Sequence, residues 1–441
     1  MKLHSGYQWV MSRVSCATPF GRELLREPHW YAPGQEEELN AELDRVELAL
    51  GWEGRDGLVH ELSMLRDIRN SFRRESNIPM DPVELFEVKH FLLHLERIRE
   101  LYRNTLPGIE LGDMGDLLDL LDPSGRRLAP FSLENAFDPA LARVREQKAA
   151  AKDEEERREL ARKEHELELN ARRRLTAALM RERERFLENM DALGRLDLIL
   201  AKAALVQKYH CTRPSVGGER VLTEDMIHPQ VQDLLTQRGV PFTPVSALLE
   251  RGCAVVTGAN MGGKSVFLNS MVTNLQLMHT GWFVFADQME SPLFHAVEII
   301  GGDDQSVERG LSSFGAEMKE LDGVLRREKG QFFFLALDEF ARGTNPTEGA
   351  ALARALVEYL NGLGCVAVMS THYDGVSDAA RRHYRVAGLQ EVASGTLEDL
   401  PRLMDYSLVL VQPGEPCPRD AAAVCRLLGL DENFAAALLD R

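Results

Sequence analysis

The spacing of apolar residues changes near residue 210. Before that point apolar positions recur every three or four residues, as in Leu39, Leu43, Val46 and Leu50, which predicts amphipathic helices. After it, short apolar runs alternate with helical stretches. The runs that we interpret as strands are 254–257, 282–286, 297–300, 332–337, 366–370 and 408–411. Alternating strands and helices predict a mostly parallel α/β sheet, with ligand sites at the carboxyl ends of its strands.

A long segment between Pro139 and Gly194 contains neither proline nor glycine. Its richness in Glu, Lys, Arg, Ala and Leu predicts one long helix or a helical hairpin, and the pattern leaves both open. Residues 146–188 hold twelve Lys and Arg against twelve Asp and Glu, a net charge of zero. This balance favours a solvated arm held by intrahelical ion pairs, while the arginine clusters at 172–174 and 181–185 keep a phosphate-contacting role open.

We therefore predict three segments: a helical core over 1–139, the arm over 140–206, and an α/β domain over 207–441. No apolar run approaches the roughly 20 residues that span a bilayer, and the first residues lack the apolar stretch of a secretory signal, so we expect a cytoplasmic protein with no membrane partner. The net charge of −17 repels phosphate backbones at long range, so any contact with nucleic acid requires a local basic surface.

A phosphate-binding loop follows the first predicted strand. The residues from Gly258 to Ser265 fit the pattern G-x-x-x-x-G-K-[ST], in which backbone N–H groups point at phosphates. Lys264 can reach the terminal phosphates, the Ser265 hydroxyl is placed to ligate Mg²⁺, and Gly262 and Gly263 permit close backbone approach. The nucleotide-binding residues that we predict are Gly258, Ala259, Asn260, Met261, Gly262, Gly263, Lys264, Ser265 and Val266.

A second apolar strand, 332–337, runs directly into Asp338 and Glu339. Beside a phosphate loop, Asp338 would hold Mg²⁺, and Glu339 would orient or deprotonate the attacking water. The alternative is an acidic pair that caps the next element. A third strand ends at His372, which could sense a γ-phosphate by hydrogen bonding or serve only as a structural histidine.

Together these motifs resemble the ATPase motifs of the MutS family of mismatch-repair proteins, in the same order. The stretches that carry the resemblance are 260–265, 338–345 and 370–373. Weaker likeness occurs at 18–25, 39–44, 137–141, 196–197, 213–214 and 228–229. The resemblance covers most of the chain but is strong only from Val255 to Tyr373.

The resemblance implies an α/β P-loop NTPase domain with a mostly parallel sheet, preceded by an all-α core with a long helical arm. It implies ATP and Mg²⁺ as ligands, catalytic roles for Lys264, Glu339 and His372, and a homodimer or heterodimer formed through the ATPase domain. Residues 301–318 are similar to the loop and helix that complete the neighbouring subunit's site, so Ser312 and Ser313 would approach ATP across the interface. Taken alone, these serines predict only a helix N-cap.

Departures from the family pattern bear on what the ATPase acts on. From the family pattern we expect the mismatch-reading domain to be missing and the clamp to be reduced to the charge-balanced arm, and Ala259 stands where the family usually has Pro. Residues 427–431 resemble the terminal dimerisation helices. Stretches 338–346 and 371–376 look like the short MutS-like ATPases that reactivate adenosylcobalamin-dependent lysine or ornithine aminomutases.

These departures favour an ATPase that remodels a protein client such as a cobalamin-dependent aminomutase. A DNA-structure or mismatched-DNA clamp is the alternative, supported by the family default and the arginine clusters. A tethering protein that uses the arm, with ATP as a dimer switch, is a weaker third hypothesis.

Overall fold

The computed structural model describes residues 3–73, 78–128, 131, 137–258, 262–301, 313–389 and 404–412. These residues form two compact units. One, the α/β unit, is drawn from 1–14, 29–44 and 205–441, and the other, the helical unit, from 15–28 and 45–204. The contacts thus group two N-terminal pieces with the α/β unit, whereas the sequence suggests three consecutive segments, a division that stays a prediction.

The described residues of the helical unit form helices and no strands, and helices alternate with strands in the α/β unit. The described helices are α1 (Ser5–Met11), α2 (Pro19–Arg26), α3 (Glu36–Leu50), α4 (Arg55–Ser63), α5 (Arg69–Arg73), α6 (Pro82–Tyr102), α7 (Gly115–Leu121), α8 (Pro139–Ala150), α9 (Glu154–Arg181), α10 (Arg183–Tyr209), α11 (Pro229–Gln237), α12 (Lys264–His279), α13 (Ser313–Arg327) and α14 (Pro346–Leu363). Among the residues that the structure describes, no helix is long and apolar enough to cross a membrane.

Prolines start several of these helices because a residue at the first helical position needs no N–H partner. At α6 the preceding Asp81 accepts hydrogen bonds from the backbone N–H groups of Val83 and Glu84, and the Glu84 carboxylate accepts one from the Asp81 N–H. This reciprocal cap satisfies N–H groups that the helix leaves open. Inside the helical unit, the ring of Phe72 packs on that of Phe186, with the ring centroids 4.3 Å apart.

The arm folds as a helical hairpin of α8 and α9, one of the two alternatives open from the sequence. Arg145 forms ion pairs with Glu164 at 2.9 Å and Glu168 at 2.8 Å, and Lys148 bonds Glu164 at 2.7 Å. The chain turns after Ala150, and Asp153 caps the start of α9. Ion pairs between the two helices therefore hold the arm together, whereas the balanced charge suggested pairs within one helix.

Two sheets form the α/β unit. Its described strands are β1 (Ser215–Val216), β2 (Val221–Met226), β3 (Val245–Leu249), β4 (Gly252–Thr257), β5 (Gln288–Ser291), β6 (Val297–Ile300), β7 (Phe334–Asp338), β8 (Val366–Ser370), β9 (Arg382–Leu389) and β10 (Met404–Leu410). The larger sheet has the order β10-β9-β4-β8-β7-β6, parallel except for the β9–β10 pair. The smaller sheet, β1-β5-β2-β3, is mixed.

Helices cover both faces of the larger sheet. Alternate strand residues such as Val255, Leu337 and Met369 share a buried core with residues of α13 and α14, while α12 packs against β6, β7 and β8. The prediction of a strand over 282–286 was wrong, because this run is buried without pairing along its length. Only Val284 makes a bridge there, to Thr212, and the strand β5 follows it.

The two N-terminal pieces of the α/β unit pack against α12. In α1, Gly6 lies so close to α12 that a Cβ would overlap the Thr273 hydroxyl. At the carboxyl end of α12, the Trp30 ring stacks on His279 with centroids 4.3 Å apart and an interplanar angle of 7°. The His279 Nδ1–H donates to the Tyr31 carbonyl at 2.8 Å. Residues distant in sequence therefore pack against the carboxyl-terminal half of α12 within the unit.

Candidate functional site

The phosphate loop begins at the carboxyl end of β4, and α12 starts immediately after it. Gly258 has φ of 135° and Gly263 has φ of 88°, values that disfavour any other residue. A Cβ on Gly258 would lie 3.2 Å from Val386 Cβ, and one on Gly263 would lie 3.0 Å from Tyr406 Cδ1. At both positions a side chain would therefore crowd a neighbour and strain the backbone. The free N–H groups at the start of α12 face the loop.

Lys264 is buried, with 4% of the residue exposed, and its side chain points into the site. Its Nζ donates to the Gly258 carbonyl at 2.8 Å and lies 3.8 Å from Glu339 Oε1. Burial lowers the pKa of Lys264, while the charges of Glu339 and Asp338 oppose that shift. The cation therefore lies between the loop and the acidic pair, where it can reach a bound phosphate.

Asp338, Ser265 and Ser370 form one hydrogen-bonded group at the ends of β7 and β8. Asp338 Oδ1 accepts from the Ser265 hydroxyl at 3.1 Å and from the Ser370 hydroxyl at 2.7 Å. Ser370 also accepts from the Glu339 backbone N–H at 2.9 Å. The sequence assigned no role to Ser370, although its pairing opposite Asp338 in the parallel sheet places it there.

Glu339 follows β7 in a strained turn. It has φ of 51°, and Ala341, two residues later, has φ of 63°. The Glu339 carboxylate accepts from Arg342 Nη1 at 2.9 Å. Behind the turn, a Cβ on Gly301 would overlap the Asp338 carbonyl oxygen, so this approach requires glycine. The turn therefore holds the carboxylate of Glu339 beside Lys264.

A pocket of about 330 Å³ adjoins the phosphate loop. Its walls come from α11, the connection from α11 to β3, the start of α12, and β10. The lining residues include Val231, Leu235, Val240, Pro241, Phe242, Thr243, Val266, Phe267, Glu339 and Tyr406. This mixture of apolar walls beside polar loop atoms suits a ligand with a flat apolar part and a charged tail.

The remaining predicted residues are only partly within the described chain. His372 is exposed just after β8, and its ring lies 4.5 Å from that of Tyr373. Ser313 is the first residue of α13. The structure brings Gly258, Gly262–Val266, Asp338 and Glu339 together. The predicted positions that lie outside the described residues are Ala259, Asn260, Met261, 302–312 with Ser312, and 427–431.

Comparison with known proteins identifies the domain that carries this site. Residues 254–407 match the family model described as MutS domain V. Over these residues the chain is similar to MutS domain V. The match includes the loop at Gly258–Ser265, the acidic pair and the end of β8, so the resemblance seen in the sequence is confirmed for this domain. Its α/β architecture agrees with the P-loop ATPase fold of MutS domain V.

Curated relatives extend the similarity beyond this domain. The chain is 31% identical over 271 residues to "Endonuclease MutS2" of Shouchella clausii, covering 59% of this chain and 32% of that protein. With "DNA mismatch repair protein MutS" of Haloquadratum walsbyi the identity is 31% over 288 residues, covering 62% and 29%. The protein of that name from Natronomonas pharaonis is 26% identical over 90% of this chain and 43% of its own length. The chain therefore spans well under half of these relatives.

Proposed function

We propose that the chain binds and hydrolyses ATP and couples this cycle to the binding of DNA structures. The observation that carries the ATPase part is the cluster at the carboxyl ends of β4, β7 and β8. There Lys264 lies 3.8 Å from Glu339, and the Ser265 hydroxyl donates to Asp338 at 3.1 Å. The Ser370 hydroxyl links the two acidic residues through hydrogen bonds of 2.7 and 2.9 Å. A cation, a hydroxyl and two carboxylates beside a glycine loop are the groups that phosphoryl transfer to water requires.

The donor set at this cluster fits Mg²⁺. Ser265 Oγ and Asp338 Oδ1 lie 3.1 Å apart, and both are hard oxygen ligands of the kind that Mg²⁺ prefers. When bound with ATP, Mg²⁺ neutralises charge on the phosphate oxygens. Ser265 and Asp338 would hold it, and Ser370 keeps the Asp338 carboxylate oriented.

The remaining side chains act on the phosphate and on water. Lys264 exchanges its contact with the Gly258 carbonyl for a terminal phosphate oxygen and stabilises developing negative charge. Glu339 orients a water molecule and accepts its proton, and the Arg342 guanidinium steadies the carboxylate. The pocket lined by Phe242 and Tyr406 would receive the base of the nucleotide.

The dimeric part of the proposal rests on the MutS resemblance. In it, Ser312 and Ser313 reach the nucleotide of a second subunit, and His372 contacts the γ-phosphate. ATP then closes the interface between two ATPase domains, and hydrolysis reopens it.

DNA is the binding partner that the relatives favour, which reverses the order of hypotheses drawn from the sequence. The matched proteins are named for mismatch repair or as endonucleases, whereas a protein client such as an aminomutase has no support from these matches. The arm hairpin also carries a small excess of basic residues despite the acidic chain. Residues 139–181 hold twelve Lys and Arg against nine Asp and Glu, a net charge of +3.

Two substitutions test the ATPase. Glu339→Gln keeps the shape of the side chain but removes the base, so we expect ATP binding to persist while turnover falls by roughly 10²–10⁴-fold. Lys264→Ala removes the cation at the phosphates and should greatly weaken productive ATP binding. Phosphate release and a nucleotide-binding titration measure the two effects. Unchanged turnover in Glu339→Gln removes Glu339 from the base role, and full activity in Lys264→Ala contradicts the site assignment.

Salt-dependent binding to branched and mismatched duplex tests the DNA part. We expect affinity to fall steeply with salt. The double variant Arg162→Gln/Arg173→Gln, on the exposed side of α9, should lower the slope by about 0.9 for each phosphate that it no longer neutralises. Arg326→Gln on α13 is the matched control, because Arg326 is an exposed arginine outside the arm. Absence of binding at low salt, with ATP turnover intact, refutes the DNA part and returns the protein-client hypothesis to first place.

A further inference from the structure

The turn that carries Glu339 has two left-handed residues within three positions. Glu339 has φ of 51° and Ala341 φ of 63°, and neither is glycine. Residues with a Cβ avoid this region at a cost of roughly 1–2 kcal/mol each. Such a turn persists only when surrounding groups hold it, so its hydrogen-bond partners decide where the Glu339 carboxylate lies.

Side chains from two other elements hold the Ala341 backbone on both sides. The Ala341 N–H donates to Glu317 Oε2 at 3.0 Å, and the Tyr373 hydroxyl donates to the Ala341 carbonyl at 2.9 Å. Ala341 itself is fully buried. Glu317 lies on α13 and Tyr373 follows β8, so both bonds attach the turn to separate parts of the unit.

The surroundings of these two side chains leave them little freedom. A Cβ on Gly349, in α14, would overlap the Tyr373 hydroxyl, so α14 closes over that group. Burial raises the pKa of Glu317 to about 7, which shows that its carboxyl group is placed where the charged form is poorly solvated. An apolar residue would fill this place without that cost, but it could not accept the Ala341 N–H.

We propose that Glu317 and Tyr373 are positioning residues for hydrolysis, holding the Glu339–Ala341 turn so that the Glu339 carboxylate faces the phosphate site. This inference rests on the proposed ATPase function and on the role of Glu339 in it. Neither residue lines the pocket beside the phosphate loop. Losing either bond lets the turn relax from its left-handed conformation and moves the base, while the loop that binds the phosphates is unaffected.

Steady-state turnover and ATP affinity of four variants test the proposal. Glu317→Leu cannot accept the Ala341 N–H and should lower kcat by about tenfold or more with ATP affinity unchanged. Glu317→Gln retains an acceptor oxygen and should restore most of the rate. Tyr373→Phe removes only the hydroxyl and should lower kcat severalfold. Asp322→Leu, an exposed acidic residue on the same helix, is the matched control and should behave as wild type.

The outcomes separate this inference from the function on which it rests. Wild-type turnover in both Glu317→Leu and Tyr373→Phe overturns the positioning role but leaves the proposed ATPase intact. A loss of kcat accompanied by an equal loss of ATP affinity has the same consequence. Equal rates for Glu317→Leu and Glu317→Gln show that the acceptor oxygen is irrelevant and overturn it too. A wild-type chain without turnover overturns the proposed ATPase and the inference with it. If Glu317→Leu does not fold, Tyr373→Phe and Glu317→Gln decide the matter.

Discussion

Ser370→Ala removes a single buried hydroxyl that serves two parts of the site. That hydroxyl donates to Asp338 Oδ1 at 2.7 Å and accepts from the Glu339 N–H at 2.9 Å. The substitution leaves the Glu339 N–H without this acceptor and frees the Asp338 carboxylate to rotate. The hydroxyl is fully buried, so water cannot readily take its place.

The size of the effect follows from these two bonds. An unsatisfied buried group costs about 1–3 kcal/mol, and a bond to a charged carboxylate contributes about 1.5–3 kcal/mol. If roughly half of their sum, about 1.25–3 kcal/mol, is lost from the transition state, kcat falls by about 8- to 160-fold. The remainder lowers the free energy of unfolding.

Phosphate-release kinetics and urea unfolding should be measured together on Ser370→Ala and on Ser291→Ala. Ser291 is equally buried and donates to the Pro292 carbonyl at 2.9 Å, but it lies in β5, outside the site. Both variants should lose stability, whereas only Ser370→Ala should lose turnover. Equal kcat values in the two variants refute the idea that Ser370 orders the acidic pair.

Two further predictions concern α12. Burial lowers the pKa of His279 to about 4, and its Nε2 accepts from the Phe294 N–H, so the neutral ring is favoured in the fold. The free energy of unfolding should therefore fall as pH drops from about 6.5 toward 4, by about 2 kcal/mol between pH 7 and 5. Urea unfolding of His279→Gln should lack this part of the pH dependence. Gly263→Ala should lower the free energy of unfolding by about 1–2 kcal/mol and weaken ATP binding. Gly362→Ala is the control, because Gly362 is an open helical position in α14, and it should slightly stabilise the protein. Equal shifts of the melting temperature in the two variants contradict the steric reasoning.

The parts of the site that lie in contiguous motifs could be predicted from the sequence. Lys264 and Ser265 follow a recognisable glycine pattern, and Asp338 and Glu339 end an apolar strand. Ser370 could not be assigned in this way, because its role depends on register between two strands. The contacts of Glu317 and Tyr373 also depend on tertiary packing, since their partner Ala341 lies 24 and 32 residues away, respectively.

The fold shows the same division between local and long-range information. Strands β4, β6, β7 and β8 follow from buried apolar runs of suitable length. The run 282–286 is equally apolar, yet it is buried by packing and does not pair as a strand. The arm hairpin had no glycine or proline to mark its turn. There the extended conformation of Ala151 and the cap at Asp153 end one helix and start the next.

The discontinuous α/β unit has a consequence for synthesis on the ribosome. His4 lies against Thr273, 269 residues later in the chain. At roughly 5–20 residues per second, α1 waits for roughly 15–50 s before the helix that buries it has been made. A fragment that starts at residue 205 would likewise lack α1 and Trp30 and leave the carboxyl-terminal half of α12 uncovered. We therefore expect the α/β unit to complete its folding only late in translation, and to be poorly stable when excised as one continuous piece.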